Sequence, residues 1–225
     1  MELYKLAILI ASLLAAFAVS NLAYYYVLFK CRKKDRTPPQ EKKGRTWNIV
    51  CIVVVGACAL ISLLCMDDVS TIFCIVFALF AIFGATVDSY IRIIGNEMLL
   101  VMLPIGLLYR IIVGSVSALL GSLIALGIVI LTFGLAMLAT KKLKGVFGVG
   151  MGDVKLSMVI ALTVGWPDVL TFLGGMAIAI IVYCVVGLRT KVLQKGFYFP
   201  MCGMIMAGFL IALYVPVLPT LLKLF

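Results

Sequence analysis

The chain has no histidine at all, and its seven cysteines form no Cys-x-x-Cys pair. Imidazole-dependent serine or cysteine triads are therefore excluded, and a thiolate or imidazole zinc site loses its usual ligands. Charge is also scarce. Only 12% of the 225 residues are charged, and Asp and Glu together number 9. What fills the space is apolar: 65% of the residues are hydrophobic. A soluble domain of this length cannot bury so much apolar surface, which places the chain among integral membrane proteins. No stretch between the apolar runs is long enough for a separate soluble domain.

Cys51, Cys58 and Cys65 recur every seven residues and so share one face of a helix. They are read as small packing residues rather than as metal ligands. The formal charge is +10, but the basic residues lie in short segments between apolar runs. That placement indicates membrane topology and contact with anionic lipid headgroups, not nucleic-acid binding.

A spanning helix takes roughly 20 apolar residues. Read this way, the sequence predicts an all-α, polytopic membrane helix bundle of about eight transmembrane segments. Leu6 to Phe29 is the first, too long for a signal-peptide core and read as retained, although Ala15-Ala16-Phe17-Ala18 has the look of a small-residue cleavage site. Lys30 to Trp47 is a basic loop holding Pro38-Pro39 and Gly44. The further segments are Asn48–Met66, Ser70 to about Asp88, about Glu97 to Val113, Val116–Ala139, Val154–Val164, Val169–Leu188 and Phe199 to about Leu222. The fourth and sixth are expected to be short, tilted or partly re-entrant. The expected division is residues 1–47, a first helix with its basic loop, and residues 48–225, a membrane-embedded core.

Strict alternation with the first basic loop inside leaves only Lys5, Arg110 and Lys223 on the outer face, out of 19 Lys and Arg. Such asymmetry is the positive-inside pattern. The alternation also brings two acids to the inner boundary. Asp88 ends an outside-to-inside segment, and Asp153 opens an inside-to-outside one. An ionisable residue inside an apolar segment is costly and is a functional candidate by default.

Two neighbouring carboxylates do not readily ionise together, so one holds a proton while the other acts as a base. Such a pair can activate water against an amide carbonyl and protonate the leaving nitrogen. A helix start favours the anion at Asp153, and a helix end disfavours it at Asp88. These readings make Asp153 the base and Asp88 the proton carrier, with Arg92, four residues on, acting against the second assignment. Gly148, Gly150 and Gly152 permit positive φ and close backbone approach of an extended substrate. The bland readings are a helix cap at Asp153 and an i, i+4 ion pair between Asp88 and Arg92.

Gly150-Met151-Gly152-Asp153-Val154-Lys155-Leu156 resembles the Gly-x-Gly-Asp-x-Lys-Leu motif of bacterial type IV prepilin leader peptidases. Asp88 to Leu99 resembles the family's other signature, an Asp followed about eight residues later by Pro-Asn. Here Gly95 stands in place of the Pro, and Asn96 matches. Phe197-Tyr198-Phe199-Pro200 is similar to the family's aromatic-Pro entry to its last helices. The resemblance spans about Ser70 to Leu213. It implies an aspartic membrane endopeptidase that removes the leader from prepilins or pseudopilins at the cytoplasmic face of the bacterial inner membrane. Asp88 and Asp153 would be the catalytic pair, Gly150, Gly152, Lys155, Asn96 and Arg92 supporting residues, and no metal or other cofactor would be needed. The zinc-binding module of longer members, which also N-methylate the new terminus, is replaced by Lys30–Trp47 with Cys31 alone, so the implied activity is the peptidase.

Other classes remain. An archaeal preflagellin peptidase would differ mainly in substrate. A presenilin-like enzyme would show Tyr-Asp and Pro-Ala-Leu, where this chain has Val87-Asp88 and no Pro-Ala-Leu. An ion-coupled transporter or channel would show internal repeats and acids near the midplane, and a structural assembly subunit would not need the pair.

Overall fold

The computed structural model describes residues 3–33, 39, 44–144, 150–189 and 201–217. All regular structure among them is helical: α1 (Leu3–Lys33), α2 (Arg45–Cys65), α3 (Asp68–Ile91), α4 (Asn96–Gly114), α5 (Ala118–Lys144), α6 (Met151–Val164), α7 (Asp168–Arg189) and α8 (Met201–Tyr214), with a 3₁₀ turn over Val215–Val217. Each of the eight expected segments is a helix. Six of them, α1 to α5 and α7, are long and apolar enough to cross a membrane. The protein is thus a multi-pass membrane protein built as a helical bundle.

The helices are longer than hydropathy alone suggests because their polar ends belong to them. Lys30, Arg32 and Lys33 form the last turn of α1 rather than a loop. Lys141 and Lys142, expected in a loop, are exposed on the last turns of α5. Cations suit the carbonyl end of a helix, and their long stems let the charge reach the polar interface. Asp67 caps α3, accepting from the Ser70 N–H at 3.1 Å. That bond holds its carboxyl below the usual carboxylate range. The expected loop between Lys34 and Lys43 and the Phe197–Pro200 motif fall outside the described residues, Pro39 excepted.

Of the segments expected to be short, the fourth has 19 residues and the sixth has 14. A 14-residue helix is about 21 Å long, against about 30 Å of hydrocarbon. α8, also 14 residues over its described length, is the other short one.

The chain divides into two compact units, one running to Ile93 with α1–α3, the other Ile94–Val215 with α4–α8. In the first, α1, α2 and α3 pack on one another. Small residues face the contact: Ala16, Ala23, Cys51, Val55, Ala59, Cys74 and Ala78 are buried. Without a hydrophobic drive between helices in lipid, close approach through small residues and interhelical hydrogen bonds holds such bundles. Ser20 Oγ donates to Asn48 Oδ1 at 2.6 Å, and Trp47 Nε1 donates to Thr86 Oγ1 at 3.1 Å.

In the second unit α6 is the central helix, packed against α4, α5, α7 and α8. Eight of its 14 residues are buried, on every side but the stripe of Met151, Lys155, Met158 and Leu162. α4 and α6 run parallel. A side chain at Gly152 would meet Ile94 Cβ at 3.3 Å, and Gly106 lies tight against Thr163. The two helices therefore start level, and α6 stops short at its far end. There the chain turns through Gly165, whose φ is +70°, and a cis Trp166–Pro167 bond. Trp166 N donates to the Gly121 carbonyl of α5 at 3.0 Å. The space past the end of α6 takes the Arg110 guanidinium, which lies against Gly165.

Candidate active site

Asp88 occupies the last turn of α3 and is 6% exposed. Among the described residues it is the one buried carboxylate. Its surroundings are set by α1 and α2. Val87 joins a core of Ala23, Val27 and Cys31, with Tyr26, Phe83, Tyr90 and Ile91 packed on it. Tyr90 meets the Tyr24 ring with centroids 5.8 Å apart. Two residues before Asp88, Thr86 is fixed to Trp47. The acid thus sits in a part of α3 that is held on two sides.

The helix ends at Arg92, which takes the left-handed conformation (φ 52°, ψ 41°) and donates its N–H to the Asp88 carbonyl at 2.9 Å. Arg92 is exposed and lies past the helix. The expected i, i+4 relation on one continuous helix face is therefore not the geometry present. A non-glycine residue in this conformation costs about 1–2 kcal/mol, here offset by closing the helix. Gly95 is buried and caps α4, while Asn96, its first residue, is exposed.

Asp153 belongs to the other unit and the other kind of helix end. It is not a helix cap. The cap of α6 is Gly150, and Asp153 is the third helical residue, with N–H groups of Asp153 and Val154 donating to the Gly150 carbonyl at 3.1 and 3.2 Å. Asp153 is half-buried, Lys155 is exposed, and the flanking Val154 and Leu156 are buried.

The two glycines have different reasons from the one expected. Gly150 has φ −70°, and the one described glycine with positive φ is Gly165. Space, not left-handed backbone, demands them. A Cβ at Gly150 would stand 2.8 Å from Asp153 Oδ2, so the carboxylate folds back over the glycine. A Cβ at Gly152 would press on Ile94. Gly148 lies outside the described residues.

Three supporting groups escaped the sequence reading. Trp47, expected at the end of a loop, is a residue of α2 bonded to Thr86, two residues before Asp88. Ile94 sets how closely α4 meets α6. Ser157, one helical turn after Asp153, is fully buried; its spacing of four from the acid was the available signal. Cys51 and Cys58 are buried in α2, and none of the seven cysteines is in a disulfide. Among the described residues, no three His, Cys, Asp or Glu side chains gather as a metal site.

Two acids thus stand out in this bundle of apolar helices, a buried one in the last turn of α3 and a half-buried one in the first turn of α6. The sequence profile of the Type IV leader peptidase family matches residues 75–214, well over half of the chain, and takes in both acids. The chain belongs to the Type IV leader peptidase family and is a peptidase of that kind. No curated protein and no solved structure matches it.

Proposed function

We propose that the protein is an aspartic endopeptidase that removes the leader from type IV prepilins or pseudopilins, with Asp88 and Asp153 as its catalytic pair. The observation that carries this reading is the burial of Asp88, a carboxylate 6% exposed at the end of an apolar helix. Such a group is expensive to keep unless it has a task. Asp153 supplies a second acid on the opposite kind of helix end, in the first turn of α6.

In the proposed reaction, Asp153 takes a proton from water while the water oxygen bonds to the scissile carbonyl carbon. Asp88 hands its proton to the carbonyl oxygen, giving a neutral tetrahedral diol. Asp153 then gives its proton to the amide nitrogen while Asp88 takes one from a diol hydroxyl, the C–N bond breaks to an acid and an amine, and both carboxyls are back in their starting states. One water is consumed and nothing else is required. Gly150 leaves room for the Asp153 carboxylate and Gly152 for the close approach of Ile94, while Arg92 and Lys155, beside the two acids in sequence, and Asn96, at the start of α4, are the proposed polar contacts. The family supports the substrate class and a bacterial inner membrane, and the positive-inside pattern supports a site on the cytoplasmic side, beside anionic lipid.

Co-expression with a leader-bearing prepilin tests this, with mass spectrometry of the pilin N-terminus as the readout. Wild type is expected to yield a mature chain cut after the leader's glycine, while Asp88→Asn and Asp153→Asn leave the leader on, each at least about 10³-fold slower. Processing by either variant at the wild-type rate would sink the proposal. The same spectra read any N-methyl group.

A further inference from the structure

The buried hydroxyls of this protein follow a habit, and Ser157 breaks it. In mid-helix, Ser62, Ser122 and Thr163 each donate to the carbonyl four residues back, at 2.9, 3.4 and 2.9 Å. Those in Ser12, Ser20, Thr71 and Thr86 are bonded to a nearby carbonyl or to a side chain on another helix. Ser157 is 0% exposed, and its Oγ has no hydrogen-bond partner among the described residues. The carbonyl four residues back belongs to Asp153. Leaving a buried hydroxyl unpaired costs free energy that the habitual bond would recover at once. The hydroxyl is turned elsewhere.

Its direction follows from helix geometry. Side chains lean toward the helix N-terminus, so Ser157 points back to the turn that holds Asp153, on nearly the same face. The Cβ atoms of such a pair lie about 5–6 Å apart. The Asp153 carboxylate is folded the other way, over Gly150, where its Oδ2 would stand 2.8 Å from an added Cβ. Ser157 Oγ makes no direct bond to that carboxylate. α6 is packed against α4, α5, α7 and α8, and Ser157 is fully buried within it. A single water satisfies an orphaned buried group of this kind.

We propose that Ser157 is a positioning residue: its hydroxyl holds one structural water against the inner side of the Asp153 carboxylate, fixing the orientation in which that acid meets its substrate. This rests on the reading of Asp153 as the catalytic base. The bridging water is not the one consumed. It ties down the carboxylate from the buried side of α6, so that the acid presents a fixed face to the reacting water. Removing the hydroxyl would leave the fold intact and the acid misaligned.

The test uses the full-length protein in detergent with a leader-bearing substrate, measuring kcat and KM for wild type, Ser157→Ala, Ser157→Cys and Asp153→Asn. Ser157→Cys keeps the volume of the side chain but donates poorly. Both serine variants are expected to lose about ten- to a hundredfold in kcat, the scale of a small misplacement of a reacting group, with KM within about twofold of wild type. Their thermal unfolding should fall by no more than a few degrees, because each gives up a single hydrogen bond to water and leaves the apolar packing in place. A high-resolution map should show a water within hydrogen-bonding distance of both Ser157 Oγ and the Asp153 carboxylate. A kcat for Ser157→Cys within twofold of wild type overturns the inference, as does a map in which Ser157 Oγ bonds the Asp153 carbonyl. Turnover by Asp153→Asn would overturn the prior reading of Asp153 instead, and the parallel assay separates the two failures.

Discussion

Asp88 and Asp153 stand at opposite kinds of helix end, and nearly every local feature differs between them. Asp88 closes α3, a helix of 24 residues whose last turn is held by α1 and α2. Asp153 opens α6, a helix of 14 residues enclosed by four others. The first acid is buried, next in the chain to a Val87 packed in an apolar and aromatic core, and the second is half-buried beside two glycines. Helix dipoles put negative potential at the first end and positive potential at the second. One residue type is thereby given two settings. The proposed mechanism uses the difference: the enclosed acid keeps the proton, and the more open acid meets the water.

The supports differ as well, and so do the ways they should fail. Near Asp153 the supporting feature is space. Gly150→Ala puts a methyl group where the carboxylate oxygen lies. The oxygen is the end of a short flexible side chain, so it can swing aside with little strain. The damage should fall on activity: a loss of about tenfold or more in kcat, with thermal unfolding in detergent changed by no more than a degree or two. A variant that unfolds early but cuts normally when folded would erase the distinction.

Near Asp88 the supporting feature is a bond. Trp47→Phe deletes the 3.1 Å contact to Thr86 while keeping an aromatic ring. It should cost about 1 kcal/mol of stability and change cleavage less than about threefold, as seen by denaturation and by the pilin assay. A large loss of cleavage without loss of stability would mean that Trp47 itself meets substrate.

The smallest effect is expected at Arg92. Glycine accepts the left-handed backbone at this position without penalty. Arg92→Gly should therefore stabilise the protein by about 0.5–1 kcal/mol. If the guanidinium is a substrate contact, KM rises in the same variant even as stability improves, which separates the two roles of one residue.

Much of this arrangement was legible in the sequence. Runs of about 20 apolar residues fix helices in a bilayer because no other structure satisfies the backbone there, and the shortness of α6 could be read from Val154 to Val164. The helix ends were less legible. Lys33, Lys141 and Asp68 look like loop residues to hydropathy, yet each suits the helix terminus it occupies. Contacts between distant segments were not legible at all. Nothing in the run around Trp47 announces Thr86, 39 residues away, and nothing in Gly150 tells whether a glycine serves for its backbone angle or for the atom it lacks. The acids themselves stood out from the start, because a carboxylate is conspicuous in an apolar segment. Ser157 did not, because a hydroxyl there is ordinary until its missing bond is seen.

The central claim is that the two acids act as one unit, and non-additivity measures it directly. Cleavage rates of Asp88→Asn, Asp153→Asn and the double variant should be compared on one prepilin in one membrane preparation. Members of a catalytic unit lose nearly everything singly, and removing both costs little more. The predicted result is that each single variant falls to the same floor and the double variant lies no lower. Substantial cleavage by one single variant, or single losses that multiply in the double, would contradict the account.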